Sequence, residues 1–202
     1  MTFEVDYKNI KDIKIIKNKD NKVICFSFVE NSQHYFGKLV HIDLQADFIR
    51  ERDVNIYINN NLDIKGYKYY TKMLNVYENI TLPDNLAKLA TVENNNLQYN
   101  LMIFAYSGDH PLRYYINRLS PSNFKDILSQ LREATTLLSD IGVIHYDLYC
   151  ESNVMLKKEE NKWVIKIIDY GLSYIDLTDK SDNDYKSIIE SIEHFNMKHV
   201  IS

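Results

Sequence analysis

Polar and apolar residues alternate in the first part of this chain and then cycle at helical spacing, and the change of period marks out its elements. Residues 12–17, 22–30 and 34–44 are rich in β-branched and aromatic residues and are separated by the turn formers N-K-D-N and N-S-Q. Such runs read as three strands of an antiparallel meander. Between 46 and 62, Phe48, Ile49, Val54, Ile56, Tyr57 and Leu62 recur near helical spacing, which predicts a helix. Residues 66–95 are less patterned: the first part reads as helical or extended, and L-P-D-N opens a turn that leads into a strand. Residues 97–106, L-Q-Y-N-L-M-I-F-A-Y, are a continuous apolar run of the kind a buried strand shows.

The clearest helix begins at Ser120-Pro121, a capping residue followed by one suited to the first helical position. Phe124, Ile127, Leu128, Leu131, Leu137, Leu138 and Ile141 recur at steps of three and four before Gly142 ends it. A hairpin follows over 154–168. Residues 182–195 then read as an amphipathic helix with Tyr185, Ile188, Ile189, Ile192 and Phe195 inward.

Candidate chemistry lies between Gly142 and Gly171. The pattern puts His145 and Asp147 in a loop after a helix, Asn153 at the mouth of a strand and Asp169 at the end of the next, so their side chains can converge at one edge as a site for metal and phosphate. His145-Tyr146-Asp147-Leu148, Asn153-Val154-Met155-Leu156 and Ile168-Asp169-Tyr170-Gly171 resemble the H-R-D-L…N catalytic loop and the D-F-G of protein kinases.

The resemblance implies an α+β, protein kinase-like two-lobed fold. Its parts would be an antiparallel N-lobe sheet with one αC-like helix (1–106) and a helical C-lobe (107–202) truncated after an αF-like helix, as in short bacterial effector kinases of the OspG type and reduced viral kinases. It implies ATP and Mg²⁺ as cofactors. Asp147 would be the catalytic base, Asn153 and Asp169 would hold metal, and Lys38 would reach two phosphates. Phe36, two residues before Lys38, would share its strand face and stand where the family's small Ala makes room for adenine. The partner of Lys38 would be Asp53, with Glu51 as the alternative. Ala105, Tyr106 and Ser107 would offer backbone groups to the base, with Phe104 near the gatekeeper position. His145 would be structural, and Asp182 or Asp184 would steady its loop. Three departures stand out. No glycine occurs between residues 1 and 36, where the family has a phosphate-clamping G-x-G-x-x-G turn. Tyr146 replaces the Arg that meets a phosphorylated activation loop. Asn153 follows Asp147 by six residues instead of five, leaving either Asn153 or Ser152 to face the metal.

Composition narrows the remaining choices. The chain has 202 residues, 45% of them hydrophobic, enough for a sizeable core. Its net charge of −4 lacks the excess of Lys and Arg that nucleic acid demands. The charged opening residues resemble no secretory signal, and no apolar run reaches the roughly 20 residues that span a bilayer. No membrane or nucleic-acid partner is therefore expected, and cytoplasmic action, including in a host cell, is. Cys25 and Cys150 read as free thiols. The wealth of Asn, Ile, Lys and Tyr suggests an A/T-rich genome, such as that of a large DNA virus or a host-associated bacterium. Three functions fit: a Ser/Thr protein kinase acting on a protein substrate in signalling; a pseudokinase that binds a regulatory protein partner; and a small-molecule kinase, which normally needs a large helical C-terminal half.

Overall fold

Two hairpins open the framework, and neither has a glycine at its tip. In a computed structural model describing residues 5–62, 66–90, 98–108, 110–149, 151–179 and 182–200, strand β1 (Lys11–Lys19) turns into β2 (Val23–Glu30) through Asp20 and Asn21, at φ 51° and 55°. Asn31 and Ser32, also at positive φ, join β2 to β3 (Gln33–His41). Asp and Asn tolerate the left-handed region better than other side chains do, so a tight turn forms without glycine.

The chain groups into two compact units. The first, Met1–Arg52 with Lys72–Tyr106, holds a five-stranded antiparallel sheet in the order β1-β2-β3-β5-β4, where β4 is Met73–Thr81 and β5 is Gln98–Ala105. Helix α1 (Gln45–Asn61) follows β3 and passes from the first unit into the second after Arg52, and the one-turn α2 (Asp84–Ala87) follows β4. Alternation gives the sheet two apolar faces. Ile24, Phe26, Phe28, Tyr35, Leu39 and Leu101 pack on one side with Val5, Ile10 and Leu86. Val40, Met73, Met102 and Phe104 pack on the other against Phe48 of α1. Gly37 is required by this packing, because a Cβ there would stand 2.2 Å from the ring of Phe26 on the neighbouring strand.

Strand β4 falls where the sequence pattern gave no clear element. Four of its nine residues are half-buried and three are exposed, and two register shifts against β5, one beside Asn79 at φ 52°, break the alternation that would have announced it. The strand expected after L-P-D-N falls largely on residues 91–97, outside the described residues.

The second unit comprises Asp53–Thr71 and Ser107–Ser202. Residues 53–71, which the sequence reading assigned to the N-lobe, group here because Val54, Ile58, Leu62, Tyr69 and Tyr70 enter this unit's core. After the short β6 (His110–Pro111) and α3 (Leu112–Tyr115), helix α4 (Pro121–Asp140) starts at a Ser120 cap that accepts from Asn123 N at 3.3 Å. It buries Ile127, Leu131, Ala134 and Leu138 and is followed by Gly142 at φ 74°. Strand β7 (Val143–Ile144) pairs with β10 (Tyr174–Ile175), and β8 (Val154–Glu159) with β9 (Lys162–Ile167). The Gln130 amide joins α4 to β9, donating to Trp163 O at 2.7 Å and accepting from Ile165 N at 3.2 Å. Helix α5 (Asn183–Val200) adds Ile188 and Ile192 to the core.

Tyr170 lies inside that core with its hydroxyl buried and without a hydrogen-bond partner among the described residues. An unsatisfied buried hydroxyl costs about 1–3 kcal/mol. Tyr170→Phe is therefore expected to raise unfolding stability by about 1 kcal/mol or more in urea titrations. A loss of stability would show that the hydroxyl is satisfied.

Candidate active site

In the first unit the local structure places one buried ion pair. Lys38 is in the middle of β3, on the face that meets α1, and its Nζ donates to both carboxylate oxygens of Glu51 at 2.8 and 2.7 Å. Both residues are buried, at 9% and 4% exposure. The carboxylate is thus Glu51, where the sequence reading preferred Asp53, which is exposed. The register explains the correction. Phe48 and Glu51 are three apart and both buried, whereas that reading anchored the helix on Tyr57. Removing one member of such a pair leaves a buried charge uncompensated, which costs about 3–5 kcal/mol.

Phe36 is half-buried on the same face as Lys38, its ring 6.1 Å from that of Phe104, its cross-strand partner. Ala105 ends β5 with its amide donated to Lys72 O at 2.9 Å. The Tyr106 ring lies 5.4 Å from that of His34. In the second unit Ser107 is buried, its hydroxyl 2.6 Å from that of Thr71.

The second unit builds a tightly held loop after β7. Asp184, in the first turn of α5, accepts from His145 N at 2.7 Å and Tyr146 N at 3.0 Å, so of the two acids considered from sequence Asp184 is the one that grips the loop. Asp182 pairs instead with Lys186 at 2.6 Å. Tyr146 stands at φ 64°, a conformation that the two bonds to Asp184 help to hold.

His145 is fully buried and links two segments. Its Nδ1 accepts from Asp147 N at 3.3 Å, which leaves Nε2–H to donate to Ile168 O at 3.0 Å. The ring is the neutral Nε2–H tautomer. Burial depresses its pKa, and this outweighs the opposing pull of Asp184, the Ile168 bond, Asp169 and Asp147. Ser173 donates its hydroxyl to His145 O at 3.0 Å, a support that the sequence reading missed because nothing marks one serine among many.

Asn153 closes a 3-10 turn, Glu151–Asn153, and its Nδ2 donates to Asp147 Oδ2 at 2.8 Å and Asp147 O at 3.0 Å. Its own carbonyl accepts from Ile168 N at 3.0 Å, so Asp147 and the residue before Asp169 are both tied to Asn153. Of Asn153 and Ser152, the structure brings Asn153 to Asp147. Asp169 is exposed and at φ 65°.

These donors fit a hard cation. With Nδ2 engaged, Asn153 presents Oδ1, and Asp169 presents an exposed carboxylate. Among the described residues no group of three or more His, Cys, Asp or Glu is placed to hold a metal. Two protein oxygens suit Mg²⁺, which keeps waters and takes its other ligands from substrate phosphates.

No family model matches the sequence, and no curated protein matches it. Solved structures do. WaaP, solved in complex with acyl carrier protein, aligns over 88% of this chain and 68% of its own, with TM-score 0.55 and 10% identity. The kinase PK-1 of Cydia pomonella granulovirus aligns over 81% of this chain with TM-score 0.51 and 22% identity, and this chain spans 52% of that kinase's length. At such identities the likeness is one of fold, and it agrees with a β1-β2-β3-β5-β4 sheet followed by the His145 loop and its hairpin: the chain has a protein kinase-like fold.

Proposed function

We propose that this chain is an ATP- and Mg²⁺-dependent phosphotransferase that acts in the cytoplasm on a serine or threonine hydroxyl of a protein. The observation that carries this is the 2.8 Å bond from Asn153 to the Asp147 carboxylate, in a loop gripped by Asp184. Phosphoryl transfer is mostly positioning and charge neutralisation, so a carboxylate fixed in one rotamer is what the reaction asks of the protein. Asp147 orients the acceptor hydroxyl and takes its proton as the new O–P bond forms and the bond from the γ-phosphorus to the bridging oxygen breaks. Asn153 holds that carboxylate and, with Asp169, supplies oxygens to the cation. Lys38, fixed by Glu51, binds phosphate. Bound Mg²⁺ supplies neutralisation of phosphate charge. A protein partner is in keeping with one structural neighbour having been solved with acyl carrier protein.

One observation favours a second reading, a pseudokinase that binds a protein without catalysis. In the β1–β2 turn, Asn21 N donates to Asn18 Oδ1 at 2.9 Å and Lys22 N to Lys19 O at 2.8 Å, so these amides are spent inside the turn instead of presented to phosphate.

The two readings separate in transfer assays. Asp147→Asn and Asp169→Asn should each lower autophosphorylation, or transfer to a generic protein substrate, by about a hundredfold or more. A wild type with no activity to lose would establish the second reading. The acids of α1 separate too: Glu51→Gln should weaken ATP binding and cost about 3–5 kcal/mol of stability, whereas Asp53→Asn should change stability by less than about 0.5 kcal/mol. Equal effects would undo the assignment of Glu51.

The neutral His145 gives a pH signature. Its folded pKa lies below the ordinary 6.5, so its contribution to stability is complete above that pH. It is lost as pH falls from there toward the depressed value, because the unfolded chain takes up the proton first. Urea titrations from pH 8 to pH 5 should show the advantage of wild type over His145→Gln shrinking in acid. A gap independent of pH would mean that His145 is not held neutral.

A further inference from the structure

Strand β1 carries four lysines, Lys11, Lys14, Lys17 and Lys19, and the pairing register puts all of them on one face. Directly opposed residues in a sheet point to the same side. Lys11 opposes Val29, Lys14 opposes Ser27, Lys17 opposes Cys25 and Lys19 opposes Val23. In the next pairing Ser27, Cys25 and Val23 oppose Phe36, Lys38 and Val40. The lysines of β1 therefore share the face of Lys38, and Ile15, opposite the buried Phe26, lies on the other.

Sequence spacing alone would not give this. Positions 11, 14 and 17 are three apart, and in a regular strand Lys14 would point away from the other two. Two register shifts, between Lys11 and Lys14 and between Ile15 and Lys17, each reverse the alternation and bring the row together. Asp12 at φ 52° accompanies the first. Lysines that merely guard an exposed edge strand need no such sidedness. All four are exposed, and none is paired with a carboxylate among the described residues.

On this face Lys38 is already neutralised by Glu51, so a polyphosphate, with several negative charges, needs further cations. The amides of Asn21 and Lys22 in the β1–β2 turn are spent inside it. Lys17 stands in the same cross-strand row as Lys38, two strand spacings or about 9.6 Å away, and Lys19 is one step nearer the turn. Lys14 is in the row of Phe36 and Phe104, which suits a base better than a phosphate.

We propose that Lys17 and Lys19 hold the phosphate chain of the nucleoside triphosphate with their side chains, replacing the backbone amides of a glycine-rich turn. This rests on the phosphotransferase reading and names the groups by which that site takes its nucleotide.

The test is a thermal-shift titration of the full chain with ATP and Mg²⁺, and in parallel with adenosine. Lys17→Ala/Lys19→Ala should weaken ATP binding roughly tenfold to a hundredfold, the scale of hydrogen bonds to charged groups, while leaving adenosine binding and ligand-free stability unchanged. Lys11→Ala, which removes one positive charge at the far end of the strand, should leave ATP binding near wild type, and Lys17→Arg/Lys19→Arg should restore most of it. Undiminished ATP binding by the double alanine variant would overturn the lysine clamp while leaving the phosphotransferase reading in place. An equal loss in Lys11→Ala would overturn it in favour of unspecific charge. A wild type that ATP does not stabilise at millimolar concentration would remove the phosphotransferase reading and the clamp together.

Discussion

One carboxylate at the start of a helix holds the candidate catalytic loop in shape. Asp184 accepts from the backbone amides of His145 and Tyr146, and such charge-assisted bonds are roughly twice as strong as neutral ones. Its position in the first turn of α5 adds the favourable interaction of an anion with a helix N-terminus. With Tyr146 fixed at positive φ, the next residue turns back so that Asp147 N meets the His145 ring and the Asp147 carboxylate meets Asn153. Ile188 and Ile192 anchor the same helix in the core, so the hydrophobic stripe of α5 and the geometry of Asp147 depend on one another.

His145 extends that order to the next strand. A neutral imidazole can accept on one side and donate on the other, which lets it bridge the Asp147 amide and the Ile168 carbonyl. A protonated ring would have no acceptor for the amide, so burial serves the connection by holding the proton off. Tyr170 lies beside the ring, its centroid 4.8 Å away, and contributes to the water-poor surroundings that depress the pKa. Asp169, one residue before, is exposed. The short span from Ile168 to Tyr170 thus combines a half-buried support, an exposed carboxylate and a buried ring.

Much of this was legible in the sequence, for reasons that differ by element. The strands β2, β3 and β5 and the helix α4 obey a strict period and have one or two fully buried faces, so the apolar pattern reports them directly. The loop and hairpin from 143 to 167 could be placed because the residues that fold them also carry the chemistry. β4 was hidden by its half-exposed residues and register shifts. Glu51 lost to Asp53 because helix phase cannot be fixed from an apolar pattern that includes the exposed Ile49 and Ile56. Asp184 was visible only as one of two acids, since Asp182 and Asp184 differ in the direction they face and not in chemistry.

The same limit explains why the row of lysines on β1 is invisible in the sequence. A period-two reading of K-D-I-K-I-I-K-N-K scatters the charges over both faces, whereas two bulges gather them on one. Bulges and tight turns here are made with Asp and Asn at positive φ, as at Asp12, Asp20, Asn21, Asn31 and Asn161, and glycine is used where a neighbour must come close, as at Gly37 against Phe26. That choice has a chemical consequence. An Asn or Asp turn closes its own amides with its side chains, as Asn18 does for Asn21, so a hairpin built this way has little backbone left to offer an anion. Any anion received on that face of the sheet must then be met by side chains, and on β1 those are lysines.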